Sequence, residues 1–164
     1  MNFKVRNATE KDLEEILEIV NYNILNTTAI YDYEPRTLEQ QKAIFDEKTK
    51  ADFPLIVIEI DNEIAGFGTY GTFRFKEGYK FTVEHSVYVS INHQGKGLGK
   101  LLLAELIELA KKQKRHTMIA VIDAENQNSV EFHKQFGFKT AGIIKESAFK
   151  FDKWLDTVFM QLLL

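Results

Sequence analysis

Residues 82–100 read TVEHSVYVSINHQGKGLGK, and the reading of this stretch decides the fold. Its first half alternates, with Val83, His85, Val87 and Val89 on one face and Thr82, Glu84, Ser86 and Tyr88 on the other, which is the period of a strand. Its second half is the run Gln94, Gly95, Lys96, Gly97, Leu98, Gly99 and Lys100. It leads at once into a helix with Leu98, Leu101, Leu102, Glu105, Leu106 and Leu109, whose leucines recur at helical spacing. Strand, glycine turn and helix in that order begin a crossover connection. A helix N-terminus has unpaired N–H groups and the positive end of the helix dipole, so a turn with few side chains in front of it can grip a phosphate or pyrophosphate. The same glycines also read as a tight turn that needs positive φ.

Outward from this stretch the elements fall into place. Upstream, a short strand at Phe3–Asn7 precedes a helix opened by Thr9 and Asp12, with Leu13, Ile16, Leu17, Ile19 and Val20 on one face. After an aromatic loop from Asn26 to Arg36, the Thr37 and Gln40 pair opens a second helix that Pro54 stops. Leu55–Ile60 and Glu63–Thr72 flank the turn signal Asp61-Asn62 and read as a hairpin, and Lys80–Ser90 is the next strand of the meander. Downstream come a strand at Thr117–Ile122, a helix near Gln127–Phe136, and closing strands at Phe138–Glu146 and Leu155–Leu163. The expected fold is α/β, one domain over residues 1–164, with a mixed sheet of about seven strands and about four helices.

At 164 residues the chain has the length of one domain, and 45% hydrophobic content is ample for a packed core. A formal net charge of -3 supplies no basic excess for nucleic acid. No cysteine is present, which removes thiol catalysis and Cys-based metal sites. His85, His93 and His116 have no ligand spacing, so no metal is expected. With no apolar leader and no long apolar run, the reading is a cytoplasmic protein without a membrane partner.

Spacing narrows the phosphate ligand. A P-loop before Gly99-Lys100 needs glycine at position 94 and a hydroxyl at 101, where Gln94 and Leu101 stand. A dinucleotide fingerprint counted from Gly95 meets Lys100 at its third glycine position. Glu84 lies on the polar face of the strand that ends beside the glycines. From periodicity alone it is an ordinary charged residue of a solvated strand face. It also has the chemistry of a general base, because an amine attacks an acyl group only as its free base while its protonated form dominates at neutral pH.

Gln94, Gly97 and Gly99 match the Q/R-x-x-G-x-G/A signature of the GCN5-related N-acetyltransferases (GNAT), and the element order resembles that superfamily over nearly the whole chain. The segment Thr82–Val89, then Asn126–Ser129, His133 with Phe136-Gly137-Phe138, and Lys150 with Trp154 and Asp156 look like the phosphinothricin acetyltransferase branch. The resemblance implies acetyl-CoA as co-substrate. Its pyrophosphate would lie over Gln94, Gly95, Lys96, Gly97, Leu98, Gly99 and Lys100, and its pantetheine arm along Val87, Tyr88 and Val89 with a bond from Asn126. Asn126 reads equally as an N-cap of the helix after it. The resemblance also implies that Glu84 is the general base and that the Val89 N–H meets the developing oxyanion. His133 stands in place of the superfamily's tyrosine as donor to the leaving thiolate, or it is a packing residue.

The resemblance further implies a small acidic amino-acid-like amine as substrate, held by Tyr31, Tyr79, Lys76, which stands where an arginine is usual, and Lys150. A homodimer is expected, through an edge position of the closing strand Val158–Leu164. The other readings are acetylation of a protein or peptide amine and an acetyl-CoA sensor without turnover.

Overall fold

A computed structural model describes residues 3–164. The elements are β1 (Phe3–Asn7), α1 (Leu13–Asn26), α2 (Leu38–Lys50), β2 (Leu55–Ile60), β3 (Glu63–Thr72), β4 (Thr82–Val89), α3 (Leu98–Lys112), β5 (Thr117–Asp123), α4 (Gln127–Lys134), β6 (Lys139–Lys150) and β7 (Lys153–Leu163). All seven strands join one sheet in the order β1-β2-β3-β4-β5-β7-β6. Only β4 and β5 run parallel, as the crossover through α3 requires.

Local chemistry explains the helix starts. The Thr9 amide donates to the Asp12 carboxylate at 2.7 Å, and one 3-10 turn then feeds α1. Thr37 and Gln40 exchange bonds of 2.8 and 3.2 Å at the start of α2.

The sheet is covered on both faces, which is why β2 is apolar at every position but Glu59. Leu55 and Val57 meet α1 through Ile16, Val20 and Ile24. Ile56, Ile58 and Ile60 meet α3 through Leu102, Leu103 and Leu106 on the opposite face. The helix α3 lies close to the sheet because β3 has Gly66 beneath it: a Cβ there would meet the Tyr88 carbonyl at 2.7 Å and Leu102 at 3.3 Å.

The hairpin β2–β3 turns through Asp61 and Asn62 at φ 50 and 70, as the turn signal predicts. Three boundaries differ. The residues before β4 form a 3-10 turn at Glu77–Tyr79, α4 stops at Lys134, and β6 continues to Lys150. The β6–β7 hairpin turns through Phe151 and Asp152, both at positive φ, a dipeptide that carries no turn signature of its own. One expectation is overturned by topology. The segment Val158–Leu164 is not at a sheet edge, because β7 pairs with β5 on one side and β6 on the other. The edge strand at this end of the sheet is β6.

Candidate active site

The parallel pair β4–β5 is bonded only at Thr82, Val83 and Glu84, opposite Thr117, Met118 and Ile119. Beyond Glu84 the two strands part, although β4 runs on to Val89 and β5 to Asp123. Glu84 therefore stands at the apex of a fork.

The hydrogen-bonding parity of β4 fixes what faces the opening. Ser90 donates to the Ala65 carbonyl of the β3 side, so with the register Gly66↔Val89 and Gly68↔Val87 the even-numbered residues bond β3. The backbone N–H and C=O of Val87 and Val89 point away from β3, into the fork. The Tyr88 backbone bonds β3, not the opening, and its ring packs 5.2 Å from Phe67 on the α1 face while also lining the cavity beside Glu84.

On the α3 side of the fork is a cleft of about 460 Å³ lined by Val87, Val89, Gln94, Gly95, Gly97, Leu98, Gly99 and Lys100, together with Asn128 and Phe132. Gly95 and Gly97 both have φ 77, and a Cβ on either would meet nothing within 4 Å. The glycines are there for their backbone angle, and the space before them is open. Gly97 caps α3 without a side-chain bond, and the first turn has no acidic residue, so the helix end remains electropositive. A pyrophosphate fits this cradle. Lys96 is exposed and does not line the cleft.

On the other side a smaller cavity of about 250 Å³ holds Glu84, Ser86, Thr28, Tyr31, Asp123 and Asn126. His85, Val87, Ser129 and His133 line both spaces. Burial pushes the Glu84 carboxyl up and Arg74 draws it part of the way back. Asp123 has its oxygens occupied by the Thr28 hydroxyl and the Glu125 amide. The Asn126 side chain accepts from Ser129 N–H at 3.1 Å, the N-cap role, while facing this cavity. His133 donates from Nδ1 to the Ser129 carbonyl at 2.7 Å, and its Nε2 lies 3.1 Å from Nε2 of His85. Burial holds His133 below the usual imidazole range. Both ring nitrogens of His133 thus have partners within the chain.

Of the four expected substrate residues, the structure brings only Tyr31 to Glu84. Lys150 is 3% exposed, and its ammonium donates to the carbonyls of Thr27 (2.7 Å) and Ile30. It ties the β6–β7 hairpin to the loop between α1 and α2 and lines neither space. Lys76 is exposed, and Tyr79 stacks edge-on against Phe73 at 5.9 Å. The cation that Glu84 feels is Arg74, whose guanidinium lies over the Phe73 ring. Sequence reasoning passed over it in favour of Lys76; the only signal was a guanidinium ten positions before the base. It also passed over His85, Asn128 and Asp123.

The model of the Acetyltransferase (GNAT) domain family matches residues 5–159. An L-methionine sulfoximine/L-methionine sulfone acetyltransferase of Pseudomonas aeruginosa strain PAO1 is 41% identical over 99% of this chain and 95% of its own. A phosphinothricin N-acetyltransferase of Streptomyces viridochromogenes is 33% identical over 96% of this chain and 86% of its own. The fold superimposes with a TM-score of 0.97 on an acetyltransferase from Salmonella typhimurium solved with its cofactor acetyl-CoA, 36% identical, over 100% of this chain and 95% of that one.

Proposed function

This chain belongs to the GNAT acetyltransferase family, in its phosphinothricin acetyltransferase-like branch, and on that premise we propose that it moves the acetyl group of acetyl-CoA to the amine of a small amino-acid-like substrate with Glu84 as general base. The observation that carries the reading is the fork: Glu84 at its apex, an electropositive cleft on one side and a small cavity on the other.

Acetyl-CoA would lie with its pyrophosphate before Gly95–Lys100 and its arm along Val87–Val89, where free backbone groups add to an open strand edge. The amine would enter the cavity of about 250 Å³, which has room for an amino acid and little more. Glu84 takes the ammonium proton, directly or through a water, and its raised basicity suits it to that task. The backbone N–H of Val87 or Val89 is placed to meet the developing oxyanion. The nitrogen sheds a second proton as the tetrahedral intermediate collapses, and the leaving thiolate, whose conjugate acid has a pKa of about 8.5, takes it up and departs as the thiol. Arg74 supplies the cation for an acidic substrate group, and its fork geometry suits a carboxylate, sulfoximine or phosphinate better than Lys76 does. Assembly as a homodimer belongs to the same reading, along the outer edge of β6, where Ile143 and Ile144 are exposed.

Release of free thiol from acetyl-CoA tests the proposal, with L-methionine sulfoximine, L-methionine sulfone, phosphinothricin, ordinary L-amino acids and peptides as acceptors. Turnover with the small acceptors above the peptides is the expected result. No thiol release with any acceptor removes the reading, and turnover with peptides alone transfers it to a protein acetyltransferase. A monomer by light scattering at micromolar concentration removes the dimer.

A further inference from the structure

The acetyl-transfer scheme leaves unused the contact between the imidazoles of His85 and His133, 48 residues apart in sequence and 3.1 Å apart at their Nε2 atoms. A carbonyl only accepts, so the 2.7 Å contact from His133 Nδ1 to the Ser129 carbonyl puts the ring proton of His133 on Nδ1. A neutral His133 then has a bare Nε2. The hydrogen that joins the two Nε2 atoms must belong to His85, which leaves His85 Nδ1 bare. That atom is indeed buried and without a partner. Phe138 packs against both rings, with centroids 5.6 and 5.2 Å away, and hinders either from turning over. Among the described residues no third His, Cys, Asp or Glu joins the pair as a metal group.

We propose that His85 is a positioning residue for acetyl transfer: its Nε2–H, donated to His133 Nε2, locks His133 as the neutral Nδ1-protonated tautomer in the wall shared by the two spaces. The link to catalysis rests on the acetyl-transfer reading, whereas the lock is a property of the resting chain. A proton on His133 Nε2 would face the His85 N–H donor to donor. Burial acts in the same sense, holding His133 low and, with His133 as a second cause, His85 down to about 3.

The consequence is electrostatic. Glu84 lines the same cavity, and an imidazolium there would pull its carboxyl down as any nearby cation does, weakening the base. The other titratable groups facing the pair are Tyr88 from β4, Asp123 from β5 and Tyr31 from the loop between α1 and α2 in the cavity, and His93 and Lys100 in the glycine cleft. Arg74 acts on Glu84 from the segment before β4. The bonds that fix the two rings come from each other and from Ser129.

The test is nitrogen NMR of the full chain labelled in its histidines, joined to pH profiles of turnover. The expected wild-type spectrum shows His133 protonated at Nδ1 and bare at Nε2, His85 the reverse, and neither ring titrating between about pH 5.5 and 8.5. In His85→Leu the donor is gone. His133 should then titrate in that window, and kcat should fall about tenfold near pH 6 and rejoin wild type as His133 loses its proton at higher pH. His85→Gln, whose amide N–H reaches a similar point, should restore the wild-type profile. A wild-type His133 that carries its proton on Nε2 or titrates in the window overturns the lock, as do identical pH profiles for the Leu and Gln variants. If His85→Leu does not fold, the wild-type spectrum and the Gln variant decide. The ring signals are read without turnover, so a chain that releases no thiol overturns the acetyl-transfer reading and not the tautomer.

Discussion

Asp12 and Glu84 are both carboxylates packed against the sheet, and their surroundings treat them in opposite ways. Asp12 accepts from both Nη atoms of Arg6 at 2.8 Å, from the Thr9 amide at 2.7 Å and from the Thr9 hydroxyl at 3.0 Å. Arg6 above all, with the Thr9 donors and against the cost of burial, holds the Asp12 carboxyl down to about 2. Glu84 has burial pushing it up and only the distant charge of Arg74 opposing. A carboxylate given a full set of donors becomes part of the scaffold. One kept short of donors stays basic at a cost to the fold, the property the proposed general base needs.

Substitutions can break this contrast from either side. Glu84→Gln should lower kcat by roughly 100-fold to 10,000-fold, the range of general base catalysis, with acetyl-CoA affinity within a few-fold of wild type. A pH-rate profile with the best acceptor checks it: the wild type should gain activity as pH rises through the raised Glu84 value, and the variant should be partly rescued at high pH as free amine accumulates. Coinciding profiles would return Glu84 to the status of a surface residue.

Asp12→Ala should do the reverse, costing about 2–3 kcal/mol by urea unfolding while kcat per folded molecule holds. The loss is at the low end for a buried pair because Arg6 is partly exposed and keeps Glu59 at 2.8 Å. The stability that Asp12 contributes is full above its ordinary pKa of 3.8 and disappears as pH falls toward about 2.

Gly97→Val separates binding from proton removal. A branched side chain at φ 77 in front of the cleft should weaken acetyl-CoA binding by about tenfold or more by calorimetry. The acid limb set by Glu84 should stay where it was. The smallest effect is on the stability of Glu84→Gln. With a folded pKa raised above the unfolded one, ionised Glu84 opposes folding at neutral pH. The variant should therefore unfold at slightly higher urea concentration than wild type at pH 7, and at the same concentration below pH 4.

Much of this contrast is local and was legible in the sequence. The Thr9 and Asp12 spacing announces a capping box, and the alternation through residues 82–89 puts Glu84 on the face opposite Val83 and His85. The glycine turn, the seven strands and their mixed directions also follow from patterns a few residues long. What stayed hidden depends on distance across the fold. Periodicity assigns His85 a face but cannot say that His133, on a helix reached through two crossovers, stands opposite it. Lys150 reads as a free cation until the hairpin turn at Phe151-Asp152 folds it beneath the α1–α2 loop. Val158–Leu164 reads as an edge because nothing in an apolar alternation records how many neighbours a strand has.

The insertion of β7 between β5 and β6 bears on how the molecule is made. A folding chain in which β7 has not yet docked holds β5 with β4 on one side and an open edge on the other, and its β6 has no strand to pair with. Tyr31 waits for Thr157, 126 positions later, before the roof of the amine cavity is pinned. The wall of the candidate site is thus completed only when β7 docks. Until then an apolar strand edge is open to the wrong partner.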